Sequence, residues 1–317
     1  MASIQKRGKK YAVVYTYEDS SGTKRQKWET FTTKREAAAR KSQVEYEIDN
    51  GSFIPPSTIT VKDFLKDFVD LYGAKRWGLS AFSGNTSLIN NYINPLLGEY
   101  NVQDINRRVV DGFIQKLQKT TPVSTPFRRA RTEFLPPCTI EKICKVMHCA
   151  FRQAVRWDMV AKNPFDDVLL PKKEKKRREI WTVEIIRKAL DNCSDGKLFV
   201  AINLSFACSL RMGEITGLTW DCVHITDDDI ARDDAYIIID KELARVSQDA
   251  IQAIGEKDIL FMFPRITKAK STTRLVLKRP KTETSIRKVW LPKTLAYILR
   301  EWKQKQHKLK ELMGEEY

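Results

Sequence analysis

The sequence is poor in the residues that build metal centres and disulfide frameworks. Its six cysteines (Cys138, Cys144, Cys149, Cys193, Cys208 and Cys222) contain no Cys-x-x-Cys pair, and its three histidines are far apart. That spacing excludes a zinc motif and a disulfide scaffold, and it fits a reducing compartment. Met1-Ala-Ser-Ile-Gln-Lys-Arg7 has no apolar core of a signal peptide, and no apolar run is long enough to span a bilayer. A lipidation motif and a basic amphipathic anchor are absent as well. These absences predict a soluble, cytoplasmic chain with no membrane partner and no zinc site.

What is plentiful is positive charge. The 317 residues carry 56 Lys and Arg against 40 Asp and Glu, a net charge of +16. The excess is spread evenly, with net +4 over 1–56, +5 over 57–171 and +7 over 172–317. A basic tail is therefore excluded, and the distribution is the one expected of a chain laid along a phosphate backbone. The apolar fraction of 42% suffices for a core in each of two or three domains.

The pattern predicts a multidomain α+β chain. Residues 1–55 read as a three-stranded sheet plus a helix. The segment Tyr11–Tyr17 is β-rich, Asp19-Ser20-Ser21-Gly22 is a turn, and Thr33-Lys34-Arg35-Glu36 has capping-box spacing for a helix from Lys34 to about Asp49. Lys9, Lys10, Lys24, Arg25 and Lys27 lie among Tyr15, Tyr17 and Trp28, a mixture suited either to a DNA groove or to a protected sheet edge. Residues 58–170 read as four helices, one from Ser83 to Tyr92 ended by Pro95 and Gly98 and the longest over Thr139–Trp157. Between them, a proline-punctuated loop bears Arg128, Arg129 and Arg131.

Residues 171–179 form a basic linker with Lys172, Lys173, Lys175, Lys176, Arg177 and Arg178. It reads as a solvated spacer, a localisation signal or a segment crossing phosphates. Over 180–317 the pattern gives three helices, strands at Ala235–Asp240 and Thr273–Lys278, a strand at Ser285–Leu291 paired with the latter, and a long final helix. Asp227–Asp234 reads as an acidic loop, and 241–270 gives no clear pattern.

One segment carries chemistry: Phe206-Ala-Cys-Ser-Leu-Arg211-Met-Gly-Glu214-Ile-Thr-Gly-Leu218-Thr-Trp220-Asp221. It closely resembles the first box of the tyrosine recombinases, the phage-integrase family. The resemblance implies that Arg211 clamps the scissile phosphate, a task suited to a planar, permanently charged fork. Glu214 and Asp221 would support it; the bland alternative is an arginine satisfying helix carbonyls. Arg279-Pro280-Lys281-Thr282-Glu283-Thr284-Ser285-Ile286-Arg287 is similar to the family's β-hairpin lysine turn, in which Lys281 would be the general acid protonating the departing 5′ oxygen. Otherwise it is a basic turn on the backbone.

The resemblance further implies an arm-site DNA-binding domain at 1–55, a core-binding domain at 58–170 and the first part of a mainly α catalytic domain at 180–317. The activity implied is cutting and rejoining of DNA strands at paired recombination sites. Dimers or tetramers of protomers would act, with no cofactor, to integrate or excise a mobile element. The sequence departs from the family in having no His-x-x-Arg, and Tyr317, without the preceding box, reads as a chance occurrence. Without a nucleophile no phosphotyrosyl intermediate forms, so the expectation is a chain that binds DNA without recombining it. The alternative from another class is a non-catalytic, site-occupying DNA-binding regulator.

Overall fold

The computed structural model describes residues 2–18, 22–124, 129–130, 132–172, 179–256, 258–264 and 272–314. The chain divides into two compact units, Met1–Gly73 with Gly84–Glu174 and Ala74–Ser83 with Lys175–Tyr317. Among the described residues, no helix is long and apolar enough to cross a membrane.

The first unit opens with an antiparallel sheet in the order β1 (Ala2–Arg7), β2 (Lys10–Glu18), β3 (Lys24–Phe31). Helix α1 (Lys34–Asp49) follows, and the predicted capping box is present: Glu36 N–H donates to the Thr33 hydroxyl, and the Thr33 N–H donates to the Glu36 carboxylate. Strand alternation sends Val13 and Tyr15 onto Ala37 and Val44 of this helix. Glu29 joins the two layers, accepting from the Tyr15 hydroxyl at 2.6 Å and from Arg40 Nε at 2.7 Å.

In chain order follow α2 (Val61–Asp67), α3 (Ala74–Arg76), α4 (Leu79–Leu88), α5 (Asn94–Leu97), α6 (Arg107–Gln118) and α7 (Pro137–Arg156), of which α3 and the Leu79–Ser83 start of α4 fall to the second unit. Pro95 does not end the helical path as expected. A π-type turn at Ile89–Ile93 precedes it, and α5 begins with the proline at its first turn, where the missing N–H costs nothing. Phe64, Phe68, Phe113 and Phe151 fill the core of this part, with Phe64 and Phe151 ring centroids 5.8 Å apart.

The second unit carries α8 (Val183–Asp191), α9 (Gly196–Cys208), α10 (Met212–Gly217), β4 (Val223–His224), α11 (Asp227–Ala231), β5 (Tyr236–Ile239), β6 (Glu242–Ser247), α12 (Gln248–Ile254), β7 (Ile259–Met262), β8 (Thr273–Lys278), β9 (Arg287–Trp290) and α13 (Lys293–Met313). Two three-stranded sheets form, in the orders β4-β5-β9 and β6-β8-β7. The expected pairing of β9 with β8 is overturned. Both edges of β8 are taken by β6 and β7, so β9 pairs with β5 instead, from Tyr236↔Trp290 to Ile239↔Arg287. Alternation then turns Ile237 and Ile239 inward onto Val200 and Leu204 of α9 and Leu295 and Leu299 of α13. Burying each such side chain is worth roughly 1.5–3 kcal/mol. The acidic segment after Thr226 is a short capped helix, α11, and 241–270 supplies β6, α12 and β7.

A candidate active-site cluster around Arg211

Helix α9 ends at Cys208, where Ser209 takes a left-handed conformation (φ 53°) and breaks the hydrogen-bond ladder. The chain turns through Leu210, and Arg211 caps α10 in extended conformation. Gly213 and Gly217 share one face of α10, and that face lies on β6. A Cβ at Gly217 would stand 2.6 Å from the Leu243 nitrogen, and one at Gly213 3.2 Å from the Leu243 carbonyl oxygen. These two glycines set the height of α10 above the sheet and, with it, the position of Arg211.

Glu214 is 3% exposed, and a buried carboxylate needs its oxygens satisfied. Arg211 donates its main-chain N–H to Glu214 Oε2 at 2.9 Å and its Nη1 to Oε1 at 3.0 Å. Arg287, on β9, donates Nη1 to Oε1 at 3.0 Å and Nη2 to Oε2 at 2.8 Å. The fork-to-fork arrangement with Arg287 holds the Glu214 carboxyl down to about 2, overcoming the opposing effect of burial, and Arg211 adds to the pull. The Arg211 side chain is 73% exposed, so most of its fork faces solvent while one nitrogen is anchored. An anchored, open guanidinium is suited to grip an anionic oxygen.

Asp221 lies in the 3-10 turn Trp220–Cys222 and works through a different partner. Lys241, 12% exposed, places Nζ 2.9 Å from Asp221 Oδ2, 3.0 Å from the Thr219 hydroxyl and 3.5 Å from Asp240 Oδ1. The Thr219 hydroxyl and then Lys241 hold the Asp221 carboxyl well below the carboxylate range. Burial alone would lower the Lys241 ammonium, but Asp221 leads the contacts that raise it. This knot fixes the end of the Arg211 segment to the link between β5 and β6.

Lys281 is exposed on the connection from β8 to β9, so it sits on a crossover between sheets and not on a hairpin tip. Among the described residues none bonds its ammonium. Downstream of it, the Thr282 hydroxyl bonds those of Thr284 and Ser285, and Arg287 Nη1 donates to the Ser285 carbonyl at 3.1 Å. The structure thus brings Arg211, Glu214 and Arg287 together and leads the Lys281 turn into that cluster. Arg287 and Lys241 were missed by sequence reasoning; the one available signal for Arg287 was its place at the end of the lysine segment.

The expected basic contacts are dispersed. Lys9 is in the turn between β1 and β2. Lys10 and Lys24 lie on the sheet face turned away from α1, with Arg7, whose guanidinium sits 4.3 Å from the centroid of Trp28. Arg25 and Lys27 register with Tyr17 and Tyr15 and so share the α1 side. Arg129 and Lys172 are in irregular segments, and both are exposed. Arg128, Arg131, Lys173, Lys175, Lys176, Arg177, Arg178 and Tyr317 lie outside the described residues. The histidines are engaged elsewhere: His148 bonds Asp166, His224 stacks on Tyr236, and His307 pairs with Glu311.

Residues 60–118 match the family model described as phage integrase, N-terminal SAM-like domain. The ICEBs1 integrase of Bacillus subtilis (strain 168) is 23% identical over 233 residues, which cover 72% of this chain and 50% of that protein. The integrase of transposon Tn1549, in a complex with circular intermediate DNA, superposes with a TM-score of 0.57 at 16% identity, covering 77% of this chain and 64% of that one. Its complex with transposon right end DNA gives 0.56 at 16% identity, over 76% and 64%. The chain spans about half the length of the curated relative it matches. Residues 60–118 are thus similar to the SAM-like N-terminal domain of phage integrases, and the fold over 77% of the chain is similar to that of a transposon integrase.

Proposed function

We propose that this chain is the DNA-binding portion of a site-specific recombinase that cuts and rejoins strands to integrate or excise a mobile element. The observation that carries the reading is the Arg211 guanidinium, open to solvent yet anchored by a buried, ionised Glu214. In this reading Arg211 grips two non-bridging oxygens of the scissile phosphate, where its charge offsets that developing in the transition state. Lys281, on its exposed turn, delivers a proton to the departing 5′ oxygen. The sheet and α1 serve as an arm-site domain over 1–55, the helices as a core-binding domain over 58–170, and 180–317 as the start of the catalytic domain. Several protomers act together on paired sites; the Tn1549 integrase, similar in fold, has been captured on circular intermediate DNA and on transposon right end DNA.

With its net charge of +16, the 317-residue chain is expected to retard duplex DNA with steep salt dependence, and with no His-x-x-Arg in the sequence it is expected to form no covalent adduct on a nicked suicide substrate. An absent or salt-independent shift refutes the binding half of the proposal. A denaturation-resistant protein–DNA band refutes the other half.

A further inference from the structure

We propose that Arg287 is a positioning residue for Arg211, acting through Glu214, and that it ties the Lys281 turn to the same carboxylate. The inference rests on the phosphate-gripping reading of Arg211. With 73% of its side chain exposed, Arg211 has one side-chain anchor among the described residues, Glu214 Oε1. That oxygen is shared with Nη1 of Arg287, and the second oxygen, which accepts the Arg211 main-chain N–H, is shared with Nη2. Arg287 therefore fixes both oxygens of the carboxylate, and what remains of their acceptor capacity points at Arg211.

The anchor is rigid because Arg287 stands on a strand held by β5, with the neighbouring Val289 packed on the core. Its own fork is turned to Glu214 and to the Ser285 carbonyl at the end of the Lys281 turn, and its side chain is 33% exposed against 73% for Arg211. Arg287 thus orients the phosphate-binding group without touching phosphate. A lysine there would keep the charge but reach one oxygen at a time, leaving the carboxylate free to rotate.

The test is NMR of arginine guanidinium groups in the full chain, with the Arg211 signal assigned by its loss in Arg211→Ala. In the unaltered chain the Arg211 Nη protons should show hindered rotation. Arg287→Lys should abolish that signature without restoring it through charge, and Arg300→Ala, which breaks an ion pair to Asp227 in the same unit, should leave it intact. Arg287→Gln serves if the lysine variant does not fold. An unchanged Arg211 signature in either folded variant overturns the proposal, as does its loss in Arg300→Ala. A duplex oligonucleotide is then added to the unaltered chain. If it leaves Arg211 unperturbed while Arg287→Lys still frees the group, the positioning stands and the phosphate role falls.

Discussion

Replacing Glu214 with glutamine removes the charge at the centre of the cluster while keeping its shape. The carboxyl is brought from its ordinary 4.5 to about 2 in the folded chain, principally by Arg287. At 1.36 kcal/mol per pKa unit, that difference corresponds to about 3 kcal/mol of stability. The sign follows from the lowered value: the stabilisation is complete above pH 4.5 and is lost as pH falls toward 2. Glu214→Gln also turns an amide NH2 toward guanidinium donors, so its cost at neutral pH falls within the ~3–5 kcal/mol typical of a broken buried pair. Urea unfolding of the second unit, followed by amide exchange on α10 and β9 from pH 7 to pH 2, measures both chains. Their stability difference should be about 3 kcal/mol at pH 7 and shrink toward zero at pH 2. A difference that is small at neutral pH, or constant across the range, refutes the claim that the two arginines hold an ionised Glu214.

Gly217→Ala should lift α10 from β6 and cost on the order of 1–3 kcal/mol in denaturant unfolding, with Gly213→Ala milder because its Cβ meets Leu243 at 3.2 Å and not 2.6 Å. Equal, negligible losses contradict the close approach. Lys241→Met should cost only about 1 kcal/mol, because Asp221, 68% exposed, is left free to rehydrate; a loss of several kcal/mol shows a deeper structural role. Lys281→Ala should leave the melting transition unchanged within about 0.5 kcal/mol, since the side chain is exposed and, among the described residues, unbonded. A marked drop in melting temperature contradicts its placement on the open turn.

Local signals were legible in the sequence. Thr33 and Glu36 sit three residues apart, and the capping box they specify forms as written. The apolar stripe of α7 likewise needs no knowledge of its partners, and Arg211 stands out because a short segment surrounds it with Gly213, Glu214 and Gly217. Pairing across the chain was not legible. The alternating patterns of β8 and β9 show that each is a strand but not which strand lies beside it, and the hairpin reading failed because β6 and β7 occupy both edges of β8. The role of Arg287 was not legible for the same reason: it stands at the end of the lysine segment, but its partner Glu214 is 73 residues away in sequence. Lys241, between Asp240 and Glu242, reads as a solvated charge until the fold brings Thr219 and Asp221 beside it.

The central claim is that Arg211 grips a DNA phosphate. Binding of duplex DNA, followed by fluorescence anisotropy across a series of salt concentrations, tests it in the unaltered chain and in Arg211→Ala. Loss of one phosphate contact should weaken binding and reduce the slope of log affinity against log salt by about 0.9. An Arg211→Ala chain that is folded yet keeps the same affinity and the same slope contradicts the account.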